Sequence, residues 1–187
     1  MRILIDMDDV LEKLCEAWVD YLNAHFGTHT TMEDVNDWDL CCAFPTLTRD
    51  QVYCVALDDA FWGSIQPMPG ADEALRKFLA EGHEVYIVTA TYYQTLKAKM
   101  DDLLFRYFPY LSWENVIITF RKQLIRGDVL IDDGPHNLRG GDYHKILFTA
   151  NHNRTFDEKS IGAVRADSWD DVCRLIEEYD KAGHPAV

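Results

Sequence analysis

Carboxylates cluster directly after the first apolar run of the chain. The segment "RILID" at residues 2–6 is short and rich in branched side chains, and it ends at Asp6, with Asp8 and Asp9 close behind. At about 4 Å and an effective dielectric of about 20, two like charges repel by about 4 kcal/mol. Three carboxylates at this spacing therefore predict a bound cation, or a carboxyl group that takes part in chemistry.

Further groups that could do chemistry follow later apolar runs. Thr89 and Ala90 end "EVYIVTA", and Asp132 and Asp133 end "DVLIDD". Lys122 lies between these two segments. Carboxylates can hold a hard cation or act as a nucleophile, while hydroxyl, backbone N–H and ammonium groups can hold phosphate oxygens. The set predicts phosphoryl transfer.

Each of these groups also has a purely structural interpretation. Asp8 could cap a helix, Thr89 could do the same at its strand end, and Lys122 could be a solvated surface lysine. The acidic pair Asp132-Asp133, followed by Gly-Pro, could simply form a turn. Their common position at predicted strand ends favours the functional interpretation of the set.

The order of predicted strands and helices brings these groups together. Strands are predicted at residues 2–6, 84–88, about 116–119, 128–132 and 144–149. Helical stretches separate the first three, and "SWDDVCRLIEEY" predicts a closing amphipathic helix. This alternation predicts a doubly wound parallel α/β sheet, in which ligands bind at the carboxyl ends of the strands.

A long stretch separates the first predicted strand from "PGADEAL". It covers roughly residues 11–69, which is more than one crossover helix needs. We expect it to form a helical cap above Asp6 and Asp8, inserted into a core built from residues 1–10 and 70–187.

Three helical signals lie inside this stretch. Apolar residues recur every three or four positions over residues 11–22, which predicts an amphipathic helix that ends at Gly27. Candidate capping boxes follow at Thr30–Glu33 and Thr48–Gln51. The second box predicts a helix that runs to about Asp59.

Composition limits the partners. The 187 residues are 48% hydrophobic and carry a net charge of −14, without a Lys/Arg cluster, so we expect a folded protein that does not bind polymeric nucleic acid. No apolar run approaches 18 residues, so no membrane segment is expected. Five cysteines without C-x-x-C, and no signal peptide before the first strand, predict reduced thiols, a cytoplasmic location and no zinc site.

Four segments resemble the motifs of the haloacid dehalogenase-like (HAD) phosphohydrolases: "ILIDMDDVL", "YIVTA", Lys122 and "VLIDDGPHNL". The strings "FWGSIQPMPGADEAL" and "ILFTANHNR" resemble the 5'(3')-deoxyribonucleotidases, the cytosolic type C 5'-nucleotidases. The resemblance implies a three-layer α/β/α core with a small helical cap. It also implies a phosphomonoesterase that hydrolyses (deoxy)nucleoside monophosphates with Mg²⁺.

The resemblance assigns roles residue by residue. Asp6 would be the nucleophile and a Mg²⁺ ligand, and Asp8 would be the general acid and base, binding Mg²⁺ through its backbone carbonyl. Asp132 would be the third protein ligand, and Asp133 would support the waters of the metal.

The remaining roles concern the phosphate. The Thr89 hydroxyl and the Ala90 N–H would hold it, and Lys122 would neutralise its charge together with that of the nucleophile.

Some positions depart from the family pattern. Asp9 stands where the family usually has Gly, and we interpret it as a helix cap. Leu14 and Ala56 stand at positions that carry base-stacking aromatics in the family, and Phe120 replaces an Arg. We therefore expect relaxed base discrimination.

Aromatic residues of the inserted stretch could supply a stacking surface instead. The candidates are Trp18, Trp38, Phe61 and Trp62, for which core packing is the alternative. His136 and His152 are expected to stabilise loops through hydrogen bonds.

Other functions stay open at this point. The protein could hydrolyse another small phosphate ester, or it could be a HAD-like binding protein without catalysis. A receiver domain uses similar residues, but the long stretch after the first strand and the late acidic pair disfavour it. The oligomeric state is also open, with a dimer among the alternatives.

Overall fold

Six parallel strands form one sheet in the order β3-β2-β1-β4-β5-β6. The computed structural model describes residues 1–183. The strands are β1 Arg2–Ile5, β2 Glu84–Thr89, β3 Val116–Ile118, β4 Val129–Asp132, β5 His144–Phe148 and β6 Ala163–Ala166. The predicted doubly wound α/β fold is therefore confirmed. β6 was not predicted, because "AVRA" offers one branched residue in a four-residue strand.

Helices connect the strands. In the described part of the chain the α-helices are α1 Leu14–Phe26, α2 Arg49–Tyr53, α3 Asp59–Ser64, α4 Ala71–Ala80, α5 Tyr93–Ala98, α6 Phe105–Tyr107, α7 Pro135–Leu138 and α8 Trp169–Ala182. A π-helical segment, Lys99–Leu104, joins α5 to α6. Within residues 1–183 we find no helix with the length and apolar character needed to cross a membrane.

The helix boundaries of the inserted stretch differ from the predicted ones. α1 begins at Leu14 rather than at residue 11. The predicted helix to Asp59 is interrupted, because the Asp58 side chain accepts a hydrogen bond from the Ala60 N–H and begins α3. The capping box at Thr48–Gln51 is present, whereas the box expected at Thr30–Glu33 lies one residue later, at Thr31–Asp34.

The sheet is buried on both faces. Along β1, Ile3 and Ile5 belong to a large hydrophobic cluster with residues of α4 and α8, while Leu4 faces a smaller cluster with Leu130 and Leu147. Each fully buried aliphatic side chain contributes roughly 1.5–3 kcal/mol. Burial on both faces explains why the strands read as continuous apolar runs.

The stretch between β1 and α4 has a cluster of its own. Its buried members are Val19, Leu22, Val35, Leu40, Phe44 and Val52. The backbone segments at the two ends of this stretch lie side by side. The Lys13 N–H donates to Gln66 O (2.9 Å), and the Met68 N–H donates to Leu11 O (2.8 Å). That residues 11–69 act as a cap stays a prediction.

Candidate active site

The carboxyl ends of β1 and β4 bring three charged groups into contact. β1 pairs with β4 through Ile5 and Ile131, and Asp6 and Asp132 follow at the same edge. Lys122 Nζ lies 2.6 Å from Asp6 Oδ1 and 2.6 Å from Asp132 Oδ2. Burial by itself would lower the pKa of Lys122, but the charges of Asp6 and Asp132 overcome it and raise that pKa.

Three buried carboxylates lie close enough to share a cation. Oxygen atoms of Asp6, Asp132 and Asp133 all lie within 4.8 Å of one another. Burial raises the pKa of Asp6 to about 7, against the effect of Lys122 and helped by Asp132. The pKa of Asp133 is also raised well above its usual range, first by burial and then by Asp6. The cluster holds more negative charge than one lysine balances.

Two asparagines that were not predicted from the sequence donate hydrogen bonds to the acidic pair Asp132-Asp133. Asn137 Nδ2 donates to Asp132 Oδ1 at 3.0 Å, and the buried Asn153 Nδ2 donates to the Asp133 carbonyl at 2.8 Å. Both asparagines lie in strings that carry the family resemblance, "DGPHNL" and "TANHNR", which is the signal that could have identified them.

A second buried lysine, also missed, lies on the other side of the site. Lys99 Nζ donates to Asp8 Oδ2 at 2.6 Å and to Thr89 Oγ1 at 2.9 Å, and only 1% of Lys99 is exposed. Lys99 begins the π-helical segment, a feature that often occurs at functional sites. One sequence signal could have indicated that Lys99 is buried. It lies four residues from both Thr95 and Leu103, which are buried, and this spacing places all three on one face of a helix.

The Asp9 side chain binds the first turn of α1 from an unusual backbone conformation, although the N-cap residue of this helix is Lys13. Asp9 Oδ1 accepts a hydrogen bond from the Cys15 N–H at 2.9 Å, in the first turn of the helix. Its φ of 55° lies in the left-handed region, which Gly, Asn and Asp adopt most readily. Burial raises the pKa of Asp9 to about 7, with Asp8 adding to the effect and the hydrogen bond from Cys15 opposing it.

A cavity of about 370 Å³ opens above these groups. Its polar lining includes Asp6, Asp8, Asp9, Asp37, Lys122, Asp133, His136, Asn137 and His152. Its apolar and aromatic walls are formed by Leu14, Trp18, Val35, Leu40, Tyr53, Ala90 and Phe120. A concave site that combines apolar and aromatic walls with polar groups is typical of a small-molecule site.

The structure separates the predicted pocket residues into two groups. Leu14, Trp18 and Trp38 line the cavity. Phe61 and Trp62, which are 1% and 4% exposed, lie in the hydrophobic core and do not line this cavity, so the structure does not bring these two residues to it. The Phe61 ring packs edge-on against Trp18 at 5.7 Å and supports the wall from behind.

Ala56 also lies outside the cavity wall. Its carbonyl accepts a hydrogen bond from Trp62 Nε1 at 3.0 Å, and the residue packs against the main core.

Two histidines connect the cavity to the acidic pair. His136 and His152 contact the Trp38 ring edge-on, with centroid distances of 4.6 and 4.8 Å. His152 Nε2 lies 3.3 Å from the Asp133 carbonyl oxygen, which agrees with the predicted loop-stabilising bond. Burial lowers the pKa of both histidines, which favours their neutral forms.

The fold is shared with solved hydrolases of the HAD type. A HAD family hydrolase from Deinococcus radiodurans R1, solved with phosphate and sodium, superposes with a TM-score of 0.67 at 16% identity over 96% of both chains. A HAD hydrolase from Bacillus subtilis, bound to magnesium, gives 0.58 at 15% identity over 94% of this chain and 97% of that one. The fold is therefore that of a HAD-type hydrolase.

Sequence comparison narrows this class. The model of the family "5' nucleotidase, deoxy (Pyrimidine), cytosolic type C protein" matches residues 1–182. A 5'(3')-deoxyribonucleotidase from Bacillus subtilis (strain 168) is 34% identical over 176 residues, which cover 93% of this chain and 97% of the relative. One from Clostridium acetobutylicum is 31% identical over 173 residues, covering 92% and 93%. The chain belongs to the cytosolic type C 5'-nucleotidase family and is a phosphoric monoester hydrolase of that type.

Proposed function

We propose that the protein is a Mg²⁺-dependent phosphomonoesterase that hydrolyses 5'(3')-(deoxy)nucleoside monophosphates through an aspartyl-phosphate on Asp6. The observation that carries this proposal is the contact of Lys122 with both Asp6 and Asp132, where Lys122 and Asp6 line a cavity that also has apolar and aromatic walls. The names of the curated relatives, 5'(3')-deoxyribonucleotidase, support the nucleotide.

In the first step, Asp6 attacks the phosphorus atom. Its Oδ1 accepts hydrogen bonds from the Met7 N–H at 2.7 Å and from Lys122, so we assign the in-line attack to Oδ2. The new Oδ2–P bond forms as the bond from phosphorus to the leaving oxygen breaks. Asp8 gives its proton to that oxygen, and general acid help of this kind is worth about 10²–10⁴-fold.

The phosphate is held by groups at the end of β2 and by Lys122. Thr89 Oγ1 accepts a hydrogen bond from Lys99, so its own proton can be donated to a phosphate oxygen. The Ala90 N–H would bind a second oxygen. In the second step Asp8 removes a proton from the water that attacks phosphorus, phosphate leaves, and Asp6 regains its carboxylate.

The acidic cluster fits Mg²⁺. Its donors are all oxygen atoms, and the buried Asp133 Oδ1 has no hydrogen-bond donor among the residues that the structure describes. The Asp6 and Asp132 carboxylates and the Asp8 carbonyl would hold the ion, with Asp133 supporting its waters. When bound, the ion supplies positive charge that offsets the carboxylates and the phosphate.

The apolar walls fit a nucleoside better than a second charged group. Trp18, Tyr53 and Phe120 offer ring faces or edges, while Leu14 replaces one aromatic of the family pattern. A base stacked on an aromatic side chain gains about 1–3 kcal/mol. We therefore propose that several bases are accepted, deoxy forms included.

We also infer a cytoplasmic location. All five cysteines are free thiols, and the matching family is described as cytosolic.

A substrate panel tests the function. Phosphate release is measured from nucleoside monophosphates, sugar phosphates and p-nitrophenyl phosphate, each with Mg²⁺ and with EDTA. We expect Mg²⁺-dependent hydrolysis with the highest kcat/KM on nucleotides, and inhibition by Ca²⁺, which binds more oxygen ligands and can misplace the nucleophile. Full activity in a metal-free preparation, checked by elemental analysis, would contradict the metal assignment. A preference for sugar phosphates would contradict the nucleotide substrate.

A further inference from the structure

An exposed aromatic pair borders the cavity. Phe120 lines the cavity and is 58% exposed. Its ring contacts that of Tyr92, which is 71% exposed, with a centroid distance of 5.5 Å. Within the described residues, neither ring belongs to a hydrophobic core cluster. Core packing therefore does not explain why the two rings stand together, and exposed apolar groups in contact often mark a binding surface.

Both rings lie close along the chain to the groups proposed to hold the phosphate. Tyr92 comes two residues after Ala90, beyond the end of β2, and Phe120 comes two residues before Lys122, beyond the end of β3. β2 and β3 pair in parallel, so both rings follow the carboxyl edge of the sheet. Two residues of extended chain span at most about 7 Å. This reach is comparable with the separation of the phosphate and the nucleobase in a nucleoside monophosphate.

Two other aromatic side chains of the cavity wall already have partners for their rings. Trp18 is packed edge-on by Tyr53 and by Phe61, both at 5.7 Å. Tyr53 carries the Arg49 guanidinium over its ring at 4.9 Å, and its hydroxyl donates to Asp39 Oδ1 at 3.0 Å. Trp18 and Tyr53 are both less exposed than the ring of the exposed pair that lines the cavity.

Trp38, a further cavity aromatic, lies toward another part of the sheet. Its ring contacts His136 and His152, which follow β4 and β5. In the sheet order these strands are two and three positions away from β2, whose end would hold the phosphate, whereas β3 is next to β2. Phe120, which follows β3, is therefore the better placed ring for a nucleobase attached to that phosphate.

We propose that Phe120, with Tyr92 packed beside it, is the ring on which the nucleobase of the substrate stacks, so that the nucleobase is recognised from the core rather than from the inserted stretch. This inference rests on the proposed function, because it assumes a nucleotide substrate. Phe120 stands where the family resemblance places an arginine, so the stacking surface is a property of this chain. Stacking accepts every nucleobase, because each has a π-face, and this agrees with a site that hydrolyses several nucleotides.

Substrates with and without a nucleobase test the inference. dAMP and dUMP are each compared with 2-deoxyribose 5-phosphate, which offers sugar and phosphate but no ring to stack. The ratio of kcat/KM on the nucleotide to that on the sugar phosphate measures the contribution of the nucleobase. Phe120→Leu removes the aromatic ring, whereas Phe120→Trp keeps one. The matched control is Trp113→Leu, at an aromatic side chain that is 54% exposed and does not line the cavity.

For Phe120→Leu we expect this ratio to fall about 10- to 100-fold, the range that stacking of one nucleobase supplies. The fall should arise from a higher KM for the nucleotides, while kcat and the kinetics on 2-deoxyribose 5-phosphate stay within about threefold, because the phosphate contacts are unchanged. Phe120→Trp should keep the ratio within about threefold or raise it, since indole offers a larger face. Trp113→Leu should leave the ratio unchanged.

Other results would overturn the inference. These are an unchanged ratio in Phe120→Leu, equal losses on nucleotides and sugar phosphate, and a loss in Phe120→Trp as large as that in Phe120→Leu. A fall in Trp38→Leu without one in Phe120→Leu would place the nucleobase on Trp38 instead. If Phe120→Leu lacks a cooperative thermal transition, Phe120→Met replaces it with the same expected outcome.

The wild-type protein separates this inference from the proposed function. If it hydrolyses 2-deoxyribose 5-phosphate as well as the nucleotides, the nucleotide substrate is wrong and the inference falls with it. If it prefers nucleotides and Phe120→Leu keeps that preference, only the role of Phe120 is wrong.

Discussion

Lys122 Nζ lies 2.6 Å from Asp6 Oδ1, and both side chains are almost completely buried. The same ammonium group also contacts Asp132. The proposed nucleophile, Asp6, and a proposed metal ligand, Asp132, therefore share one fixed positive charge. The following predictions test what this arrangement does.

Asp6→Asn should reduce turnover at least 100-fold and leave the fold intact, because the amide lacks the attacking carboxylate oxygen. Phosphate release and thermal unfolding measure the two effects. Asp142→Asn, which removes an exposed carboxylate, is the matched control and should keep wild-type activity. Asp6→Asn protein that retains more than a few per cent of the activity would contradict a covalent mechanism.

Lys122→Met should destabilise the metal-free protein by about 3–5 kcal/mol at pH 8, because it leaves buried carboxylates without their counter-ion. The loss should shrink at pH 5, where those carboxylates can take up protons. Urea unfolding at both pH values measures the change, with the exposed Lys159→Met as the control. A Lys122→Met variant as stable as Lys159→Met at pH 8 would show that the ion pairs contribute nothing.

Metal-free wild-type protein should lose stability as the pH rises. Burial raises the pKa values of Asp6 and Asp9 from 3.8 to about 7, so the folded state binds more protons than the unfolded state between these values. The free energy of unfolding therefore falls from about pH 4 to about pH 7, by a few kcal/mol. Mg²⁺ should restore stability at pH 8 more than at pH 5. Urea unfolding in EDTA and in Mg²⁺ across this pH range measures the free energy of unfolding. If that free energy rose with pH in EDTA, the raised pKa values of Asp6 and Asp9 would be refuted.

Asp9→Ala and Asp9→Gly should differ in stability. Both remove the hydrogen bond to the Cys15 N–H, but alanine also has to adopt a φ of 55°. The left-handed conformation costs a residue other than glycine about 1–2 kcal/mol, so the glycine variant should be more stable by about that amount. Thermal and urea unfolding compare the two. Equal stabilities would mean that the backbone relaxes at this position.

Leu14→Phe should strengthen base discrimination, because it adds an aromatic ring to the cavity wall. A stacking gain of about 1–3 kcal/mol corresponds to roughly ten- to a hundredfold in kcat/KM. The measurement is kcat/KM for dUMP, dTMP, dAMP and dGMP and their ribose counterparts. Leu57→Phe, at a side chain that is 73% exposed, is the control. A wild-type preference above a hundredfold for one base would contradict the relaxed pocket.

The sequence predicts the sheet and its acidic edge well, because both are local signals. Asp6 and Asp132 end apolar runs that are buried on both faces, and parallel strands place such ends together. Lys99 could not be assigned to the site in this way, since its contact with Asp8 joins residues 91 positions apart. Its local spacing from Thr95 and Leu103 indicates an apolar helix face but not the partner that its ammonium group meets.

Aromatic residues show a second limit. Trp18 and Phe61 both belong to apolar patterns of the inserted stretch, yet one lines the cavity and the other supports it from the core. Only the path of the chain between the helices decides which ring faces the ligand. Asp9, whose φ of 55° lies in the left-handed region, belongs to the turn that precedes α1 and is part of that path.

The side-by-side course of the chain at the base of the inserted stretch limits how that stretch can move. Backbone hydrogen bonds join Lys13 to Gln66 and Leu11 to Met68, so the two connections are tied to each other. Glu12 lies between them, and its backbone forms bridges with Asp8 and with Pro67. We therefore expect any opening of the inserted stretch to turn about residues that adjoin Asp8, the proposed proton donor, so that its position would change as the cavity opens.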